Sequence, residues 1–388
     1  MKDKKSLLIT FDFPPQVTGI GTYLSGIWKD LYKNDNYILA PAVKSAKGFD
    51  ITSGLNIFRY PGFTRFKILR TIVLFCLTFN FLIKNKINLV FCSVPLSLGC
   101  IGLIFKLIFK LPYGVFYYGG EYSKFKENRI LWPVLNKIMK NADFVITISE
   151  FSRAEAGKFG LKQDLVYIVT PGVDINKFKP DDDTGKINNY LKLENKQILL
   201  TVARLVKRKG VHLVIEALKK LKKDFPELVY LVVGSGEEED NLKKQAKESG
   251  LEKDVCFLGR VPDEDLPVYY NICDIYVMPN TEIKADDNVE GFGISFIEAS
   301  ACAKPVIGGI SGGVRDAVLD GITGLLVDPD KPDKLAEAIR KLLIEPDLAE
   351  RLGRQGRLRA ENEFSLSLRA KQIEDIIKKV KDHGFQAL

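Results

Sequence analysis

Two glutamates flank a glycine-rich turn in the second half of the chain, which reads Glu290-Gly-Phe-Gly-Ile-Ser-Phe-Ile-Glu298. The first precedes the turn, and the second lies about a turn and a half into the helix that the turn should open. Glu298 can accept hydrogen bonds from neighbouring hydroxyl groups of a bound molecule, while the glycine N–H groups face its phosphates. Solvated surface glutamates are the alternative, but Glu298 lies within the apolar run 296–302, which favours a binding site.

Four cations follow a buried strand predicted over residues 197–203, directly before a helical pattern. They are Arg204, Lys207, Arg208 and Lys209. Two of them, held rigidly at the end of the strand, can neutralise a diphosphate leaving group, because fixed cations stabilise the charge that develops when such a bond breaks. A solvated basic turn is the alternative interpretation, although the carboxyl end of a parallel strand is where such sheets bind ligands.

A glycine-containing loop follows the first predicted strand and contains Gly19 and Gly21. Glycines allow backbone N–H groups to approach phosphate oxygens at the start of a helix. The third glycine of a dinucleotide fingerprint is missing, so an ordinary tight turn explains this loop equally well.

Short β-branched runs alternate with helical patterns along the whole chain, which predicts an α/β fold with parallel sheets. The predicted strands cover residues 6–10, 37–40, 89–92, 113–117, 144–148, 166–169, 197–203, 229–234, 255–258, 275–278, 305–308 and 324–327. The predicted helices of the second half cover 211–223, 239–249, 266–271 and 334–344, with two more over 348–380. A length of 388 residues favours two domains. The acidic, loop-like stretch 181–185 predicts their linker, so the domains span 1–180 and 181–365.

Charge is distributed unevenly along the chain, whose formal net charge is +8. Residues 1–180 contain 25 Lys and Arg against 12 Asp and Glu, a net charge of +13, which leaves −5 for the remainder. Such asymmetry indicates an acidic partner, which is nucleic acid, an anionic membrane surface or a phosphorylated substrate, or else it reflects a generally lysine-rich composition. The six cysteines form no Cys-x-x-Cys pair or zinc-ligand spacing, so we expect reduced thiols and a cytoplasmic protein.

Two apolar runs in the first half, 71–83 and 100–109, are too short to span a bilayer. A buried helix is one explanation for the first run. The other is a basic, apolar surface helix that rests on the inner face of the membrane, because Lys67, Arg70, Lys84 and Lys86 flank it.

An ordered set of motifs along nearly the whole chain resembles retaining glycosyltransferases of family 4, which have the GT-B fold. The motifs are TGIG (18–21), ITISEFSR (146–153), PGVD (171–174), VARLVKRKG (202–210), VVGSGEEE (232–239), FLGRV (257–261), EGFGISFIEASACAKPVIG (290–308) and SGGVRDAVLDGITGLLVDP (311–329). The resemblance implies two doubly wound, Rossmann-like domains that face each other across a cleft. It also implies that the C-terminal helix, residues 366–388, returns to the first domain.

The resemblance also assigns roles to individual residues. It implies that Arg204 and Lys209 hold the donor diphosphate, that Glu298 binds the ribose, and that Glu290 contacts the donor sugar. Further donor-binding positions that it implies are Gly19, Gly21, Gly172, Gly234, Arg260, Val261 and the backbone of Phe292, Gly293 and Ile294.

The sequence departs from the family pattern at two places. Tyr118 stands where these proteins commonly have a histidine near the reacting sugar, and the chain's two histidines, His212 and His383, lie elsewhere. The Tyr118 hydroxyl can donate or accept a hydrogen bond, but its pKa makes it a poor base near neutrality. Arg315 stands where proline is frequent, so an added cation could alter donor preference.

The function that the resemblance implies is transfer of a hexose from a nucleotide-diphosphate sugar with retention, with the departing phosphate removing the acceptor proton. GDP-mannose is slightly favoured over UDP-sugars, and a glycan, a lipid-linked sugar or a phosphoinositol-type lipid is the expected acceptor. We expect no metal, no cofactor and no nucleic-acid partner. The alternatives are a non-catalytic nucleotide-sugar-binding protein and a dinucleotide-dependent oxidoreductase. The oligomeric state and the linkage formed are not predicted.

Overall fold

The computed structural model describes residues 5–384 except for residues 17, 32–35, 62–66, 182–186, 188–190, 192 and 283–288. The chain forms two compact units, Met1–Gly172 with Leu366–Leu388, and Val173–Ser365. The second unit thus begins at Val173, eight residues before the position expected from the sequence. The reason is that this stretch packs within the second unit, where Val173 donates its N–H to Phe364 O at 2.8 Å and the Phe178 ring lies 5.7 Å from that of Tyr270. The expected linker, apart from Asp181, lies outside the described residues.

The first unit contains a parallel sheet of seven strands in the order β3-β2-β1-β4-β5-β6-β7. The strands are β1 (Ser6–Ile9), β2 (Asn36–Pro41), β3 (Asn56–Tyr60), β4 (Leu89–Cys92), β5 (Tyr113–Tyr117), β6 (Phe144–Thr147) and β7 (Val166–Ile168). The strands β1, β4, β5 and β6 are buried at every position because helices cover both faces of the sheet. All four residues of β4, for example, are buried. The strand order reverses between β1 and β4, which creates a crevice at their carboxyl ends.

Eight helices of the first unit surround this sheet among the described residues. They are α1 (Gly19–Asp30), α2 (Ala46–Ser53), α3 (Lys67–Asn85), α4 (Leu96–Phe109), α5 (Glu121–Phe125), α6 (Leu131–Asn141), α7 (Glu150–Gly157) and, at the C-terminus, α15 (Leu366–Gly384). Helix α15 packs against α1. A side chain at Gly26 would meet the Leu366 side chain at 2.7 Å, so the two helices approach closely.

Helices α3 and α4 are each buried on one side only. On α3, Leu74 and Leu82 are buried, whereas Ile72 and Ile83 are exposed. Of the two explanations for the run 71–83, a buried helix therefore holds for one side of α3 only. No helix in the described part of the chain is both long and apolar enough to cross a membrane.

The second unit contains a parallel sheet of six strands in the order β10-β9-β8-β11-β12-β13. The strands are β8 (Gln197–Val202), β9 (Leu228–Val233), β10 (Val255–Gly259), β11 (Ile275–Met278), β12 (Val306–Gly309) and β13 (Gly324–Val327). Here the order reverses between β8 and β11, so the residues that follow these two strands meet at one edge.

The helices of the second unit pack on both faces of its sheet. They are α8 (Val211–Leu221), α9 (Glu239–Glu248), α10 (Leu266–Ile272), α11 (Ile294–Ala301), α12 (Val314–Ala317), α13 (Pro332–Ile344) and α14 (Pro346–Glu363). Their apolar faces join the strands in one core, in which Leu199, Tyr230 and Ile339 are fully buried.

All twelve predicted strands are present, and one strand was missed. The missed strand is β3, which lies at the edge of its sheet. Its Arg59 makes an ion pair with Asp50 at 2.7 Å, and Phe58 is exposed, so the stretch lacks the continuous apolar character of the inner strands. All six cysteines are free thiols, as predicted.

Candidate active site

The loop after β8 is held in place by a glycine. Residues Lys207–Lys209 form one turn of 3-10 helix, which ends at Gly210 with φ of +73°. A β-carbon at Gly210 would lie 2.1 Å from the carbonyl oxygen of Pro279, which follows β11. Only glycine meets both constraints, and this close approach places the loop after β8 against the end of β11.

Three donors converge on one oxygen of Glu290. The Arg208 guanidinium donates to Oε2 through Nη1, Lys209 Nζ donates to the same oxygen at 2.6 Å, and Asn280 Nδ2 donates at 3.1 Å. Glu290 is 8% exposed and Asn280 is fully buried. Burial alone would raise the pKa of Glu290, but Lys209 and Arg208 together lower it below its ordinary value. The carboxylate is therefore ionised and fixed at neutral pH.

Lys209 is buried within this cluster. Burial, opposed by Glu290 and reinforced by the charge of Arg208, lowers the pKa of Lys209 below its ordinary value. Arg204, exposed on the same loop, adds to this effect. The two cations predicted from the sequence thus influence each other, but it is Arg208 that joins Lys209 on Glu290.

Several polar atoms around Glu290 are buried without a hydrogen-bond partner in the part of the chain that the structure describes. They are Arg208 Nε, Asn280 Oδ1 and Ser311 Oγ. The loop that contains Ser311 lies directly against Glu290, because Gly313 donates its N–H to Glu290 O at 2.8 Å. Unsatisfied buried polar groups are rare in folded proteins and are concentrated where a ligand completes the bonding.

The turn after Glu290 opens helix α11. Gly293, at its N-cap, has φ of +93°, and no side chain caps the first turn. The N–H groups of this turn are donors at the positive end of the helix, next to an ionised carboxylate and two cations. The Phe292 side chain packs on Phe364 at 5.7 Å, so its backbone, not its ring, is the part suited to contact a ligand.

Glu298 lies in α11 and is held by a different partner. Tyr270, on α10, donates its hydroxyl to Glu298 Oε2 at 2.6 Å. Burial raises the pKa of Glu298 to about 7, although the bond from Tyr270 opposes this rise. Glu298 and Glu290 therefore differ in protonation, since the pKa of one is raised by burial and that of the other is lowered by cations.

The remaining predicted positions of the second unit lie at the ends of β9 and β10. Arg260 is exposed and donates through Nε to Ser235 Oγ at 2.9 Å, and Val261 is partly buried beside it. A β-carbon at Gly234 would lie 1.9 Å from the Ala203 carbonyl oxygen, so a packing requirement accounts for this glycine without a ligand. Its role in donor binding stays a prediction.

In the first unit, the glycine loop is closed by a helix cap. Thr18 caps α1 by accepting a hydrogen bond from Gly21 N at 2.9 Å, so this N–H is already engaged. A β-carbon at Gly21 would contact Thr18 Oγ1 at 2.9 Å, whereas Gly19 has open space around it. Gly172 is buried and follows β7. The donor contacts expected of these glycines stay predictions.

Tyr118 and Glu121 follow β5 at the carboxyl edge of the first sheet. The Tyr118 ring stacks on Phe116 and meets Tyr23 edge-on at 6.4 Å. Tyr118 Oη and Glu121 Oε2 are buried and make no hydrogen bond to the described residues. Burial raises the pKa of Tyr118 well above its ordinary value and that of Glu121 to about 7. Tyr118 is thus a neutral hydroxyl, not a base.

Sequence reasoning missed several members of these sites: Arg208, Asn280, Ser311, Tyr270 and Glu121. Arg208 was visible as one of the four cations in the stretch 204–209, but its partner was not. Asn280 and Tyr270 carry no sequence signal, because their importance depends on the order β8-β11 in the sheet and on the packing of α10 beside α11. The described residues contain no group of three or more side chains able to hold a metal ion.

Comparisons with known proteins identify the family of the chain. Residues 17–177 match the model of Glycosyltransferase Family 4, and residues 182–359 match that of Glycosyl transferases group 1. The chain is 29% identical over 377 residues to the GDP-mannose-dependent alpha-(1-6)-phosphatidylinositol monomannoside mannosyltransferase of Mycolicibacterium smegmatis, covering 96% of this chain and 97% of the relative. It is 28% identical over 382 residues to the corresponding enzyme for the monoacylated substrate from Corynebacterium glutamicum, covering 96% and 98%.

A solved structure is similar over the same length. Alr3699/HepE of Anabaena, in complex with UDP and glucose, has a TM-score of 0.82 at 22% identity, covering 97% of this chain and 99% of the other. This likeness concerns the fold. With both family models and both sheets in agreement, the oxidoreductase and the non-catalytic alternatives are set aside. The chain belongs to the family 4 (group 1) glycosyltransferases and is an enzyme with the GT-B fold.

Proposed function

We propose that this enzyme is a retaining hexosyltransferase that uses a nucleotide-diphosphate sugar, with GDP-mannose favoured over UDP-sugars. The observation that supports it best is the fixing of Glu290 through one oxygen by Arg208, Lys209 and Asn280, directly before the uncapped start of α11. All three bonds use Oε2, so Oε1 is the oxygen proposed to accept a hydroxyl of the donor sugar.

The cations are proposed to act on the leaving group. When the bond between the sugar carbon and the phosphate oxygen breaks, negative charge develops on the nucleoside diphosphate. Arg204 and Lys209, together with the first N–H groups of α11, stabilise that charge. The departing phosphate oxygen takes the proton of the acceptor hydroxyl on the same face, so the configuration at the sugar carbon is retained. The proposal requires no metal, because protein cations supply the positive charge.

The remaining donor contacts are proposed from the same geometry. Glu298, anchored by Tyr270, accepts hydrogen bonds from the ribose hydroxyls in its ionised form. Arg260 and Val261 flank the base, and the backbone of Gly293 and Ile294 contacts the sugar. We also propose that Gly19, Gly21, Gly172 and Gly234 lie near the bound donor, as the resemblance to the family implies.

The preference for GDP-mannose rests on the relatives. Proteins from two genera that align with almost the whole chain are named as GDP-mannose-dependent mannosyltransferases acting on phosphatidylinositol monomannosides. We propose a glycan, a lipid-linked sugar or a phosphoinositol-type lipid as acceptor, contacted by the neutral hydroxyl of Tyr118. We also propose that the enzyme works in the cytoplasm at the inner face of the membrane.

The test combines donor binding with transfer. Thermal-shift measurements against a panel of nucleotide sugars should show the largest stabilisation with GDP-mannose, because a ligand that binds only the folded state raises the melting temperature. Transfer from the best donor should be lost in Arg204→Ala and in Lys209→Ala, with the circular dichroism spectrum unchanged. Lys207→Ala is the matched control, since this lysine is an exposed neighbour on the same loop. Near-normal turnover in both site variants would contradict the proposed role of the cations.

A further inference from the structure

The outer sides of α3 and α4 expose apolar residues. On α3 the exposed positions Ile72, Phe79 and Ile83 are spaced seven and four residues apart, which is the repeat of a single helical face. On α4 the exposed residues are in the last two turns, at Ile104, Leu107, Ile108 and Phe109. We call these seven residues the α3–α4 face.

The two helices contribute to one continuous surface. The Phe79 ring lies 5.4 Å from that of Phe109, and both lie against the buried ring of Phe105. Ile83 is 63% exposed, Leu107 53% and Ile108 61%, so these side chains stand well out of the core. A contiguous exposed apolar patch of this kind marks an interaction site.

The charge around this surface has one sign. Residues 51–120 contain eight Lys and Arg and no Asp or Glu. Lys84 and Lys86, at the end of α3, and Lys110, at the end of α4, are exposed. None of these three lysines makes an ion pair within the described part of the chain, whereas Lys106 on the inner side of α4 is paired with Asp143.

We propose that the α3–α4 face docks on the surface of an anionic lipid bilayer. The apolar side chains enter the boundary between headgroups and acyl chains, and Lys84, Lys86 and Lys110 contact the anionic headgroups. The proposed function places the enzyme at the membrane, and this inference names the surface that binds there. It rests on that part of the proposed function. It does not depend on which sugar is transferred.

The charge pattern favours lipid over a second copy of the chain. In a two-fold dimer built on this face, the same surface would meet itself, so Lys84, Lys86 and Lys110 of each copy would approach like charges. No acidic residue between Asp50 and Glu121 could compensate them from within the same segment. A bilayer rich in anionic lipid supplies both the apolar medium and the opposite charge.

The experiment is co-sedimentation of the full-length protein with vesicles of phosphatidylcholine alone or with phosphatidylglycerol added. The charge variant combines Lys84→Gln, Lys86→Gln and Lys110→Gln. The apolar variant combines Ile83→Ser, Leu107→Ser and Ile108→Ser, which truncates only side chains that are more than half exposed. The matched control combines Lys219→Gln, Lys247→Gln and Lys253→Gln, three exposed lysines of the second unit.

The wild type should bind the anionic vesicles at low salt and dissociate as salt is raised. Each lysine near an anionic surface contributes about a fivefold factor, so the charge variant should bind about 100-fold more weakly. The apolar variant should also lose binding, and the control should keep it.

The proposal is wrong if the wild type does not bind the anionic vesicles or if all variants bind them equally. It is also wrong if the apolar substitutions leave vesicle binding intact and only abolish a concentration-dependent dimer in analytical ultracentrifugation. Donor-dependent thermal shifts, measured without vesicles, test the proposed transferase function separately. A failure of one proposal is therefore distinguishable from a failure of the other.

Discussion

Replacing Glu298 with glutamine should stabilise the folded enzyme at alkaline pH and weaken its binding of the donor. Burial raises the pKa of Glu298 to about 7 from an ordinary value of 4.5. The folded protein therefore holds a proton at this site more tightly than the unfolded chain does. The resulting stabilisation is complete below about pH 4.5 and is lost as pH rises through 7. Above that pH, an ionised carboxylate is buried with a single hydroxyl donor, Tyr270.

The size of the stabilisation follows from the change in the pKa of Glu298 on folding. A difference of about 2.5 pKa units corresponds to about 3 kcal/mol, because one unit is worth 1.36 kcal/mol. Glutamine has nearly the same shape and its carbonyl oxygen can still accept the bond from Tyr270. Glu298→Gln should therefore raise the free energy of unfolding by about 3 kcal/mol at pH 8.5 and leave it unchanged at pH 4.5.

The same substitution should weaken donor binding. Hydrogen bonds to a charged group contribute about 1.5–3 kcal/mol each, so replacing the carboxylate by an amide should lower donor affinity by about 10- to 100-fold at pH 8.5. Urea denaturation of the ligand-free protein at the two pH values measures the first effect, and calorimetric titration with the donor measures the second. Glu252→Gln, at an exposed glutamate, is the control and should change neither quantity. If Glu298→Gln is no more stable than the wild type at pH 8.5, the carboxylate is solvated and the reasoning from burial is wrong.

Three further predictions concern the residues around both sites. Asn280→Ala removes one of three donors to Glu290 and should lower kcat/KM by about 10-fold or more, measured at saturating acceptor, with little change in melting temperature. Gly210→Ala should reduce the free energy of unfolding by at least about 1–3 kcal/mol in urea titrations. The loss of free energy of unfolding should be larger than in Gly250→Ala, because Gly250 has the same φ of +73° but open space around it. Tyr118→Phe should raise KM for the acceptor by about 10-fold and leave KM for the donor unchanged, and the opposite pattern would exclude an acceptor role.

The sequence was sufficient to predict the α/β fold because most strands of both sheets are buried on both faces. A strand such as Leu89–Cys92 is apolar at every position, and this pattern is read without knowledge of its neighbours. The edge strand Asn56–Tyr60 lacks such a run, because Asn56 and Arg59 interrupt its apolar residues. Likewise, the sequence left two explanations open for the run 71–83, because no sequence pattern indicates whether one face of an apolar helix has a protein neighbour.

The sequence predicted which types of residue form the candidate site, but not which side chains contact each other there. Glu290 was identified from its local pattern and Lys209 from the resemblance to the family, and the structure joins them. Asn280 was missed because it approaches Glu290 only through the adjacency of β8 and β11 in the sheet. The 3-10 turn before Gly210 determines which of the four cations in the stretch 204–209 points inward, and the close contact of Gly210 with Pro279 fixes the position of that turn.

The pairing of Glu290 leaves the site with positive charge. Arg208 and Lys209 both bind this single carboxylate, and Arg204 lies close enough to lower the pKa of Lys209. Three cations with one anion leave a net charge of +2, of the magnitude needed to balance a departing nucleoside diphosphate. The carboxylate of Glu290 partly neutralises the charges of Lys209 and Arg208. Arg204 is therefore the cation whose charge is least neutralised before the donor binds. Arg204→Lys should therefore retain more transfer than Arg204→Gln, since the charge, more than the planar shape of the guanidinium, is what the leaving group requires.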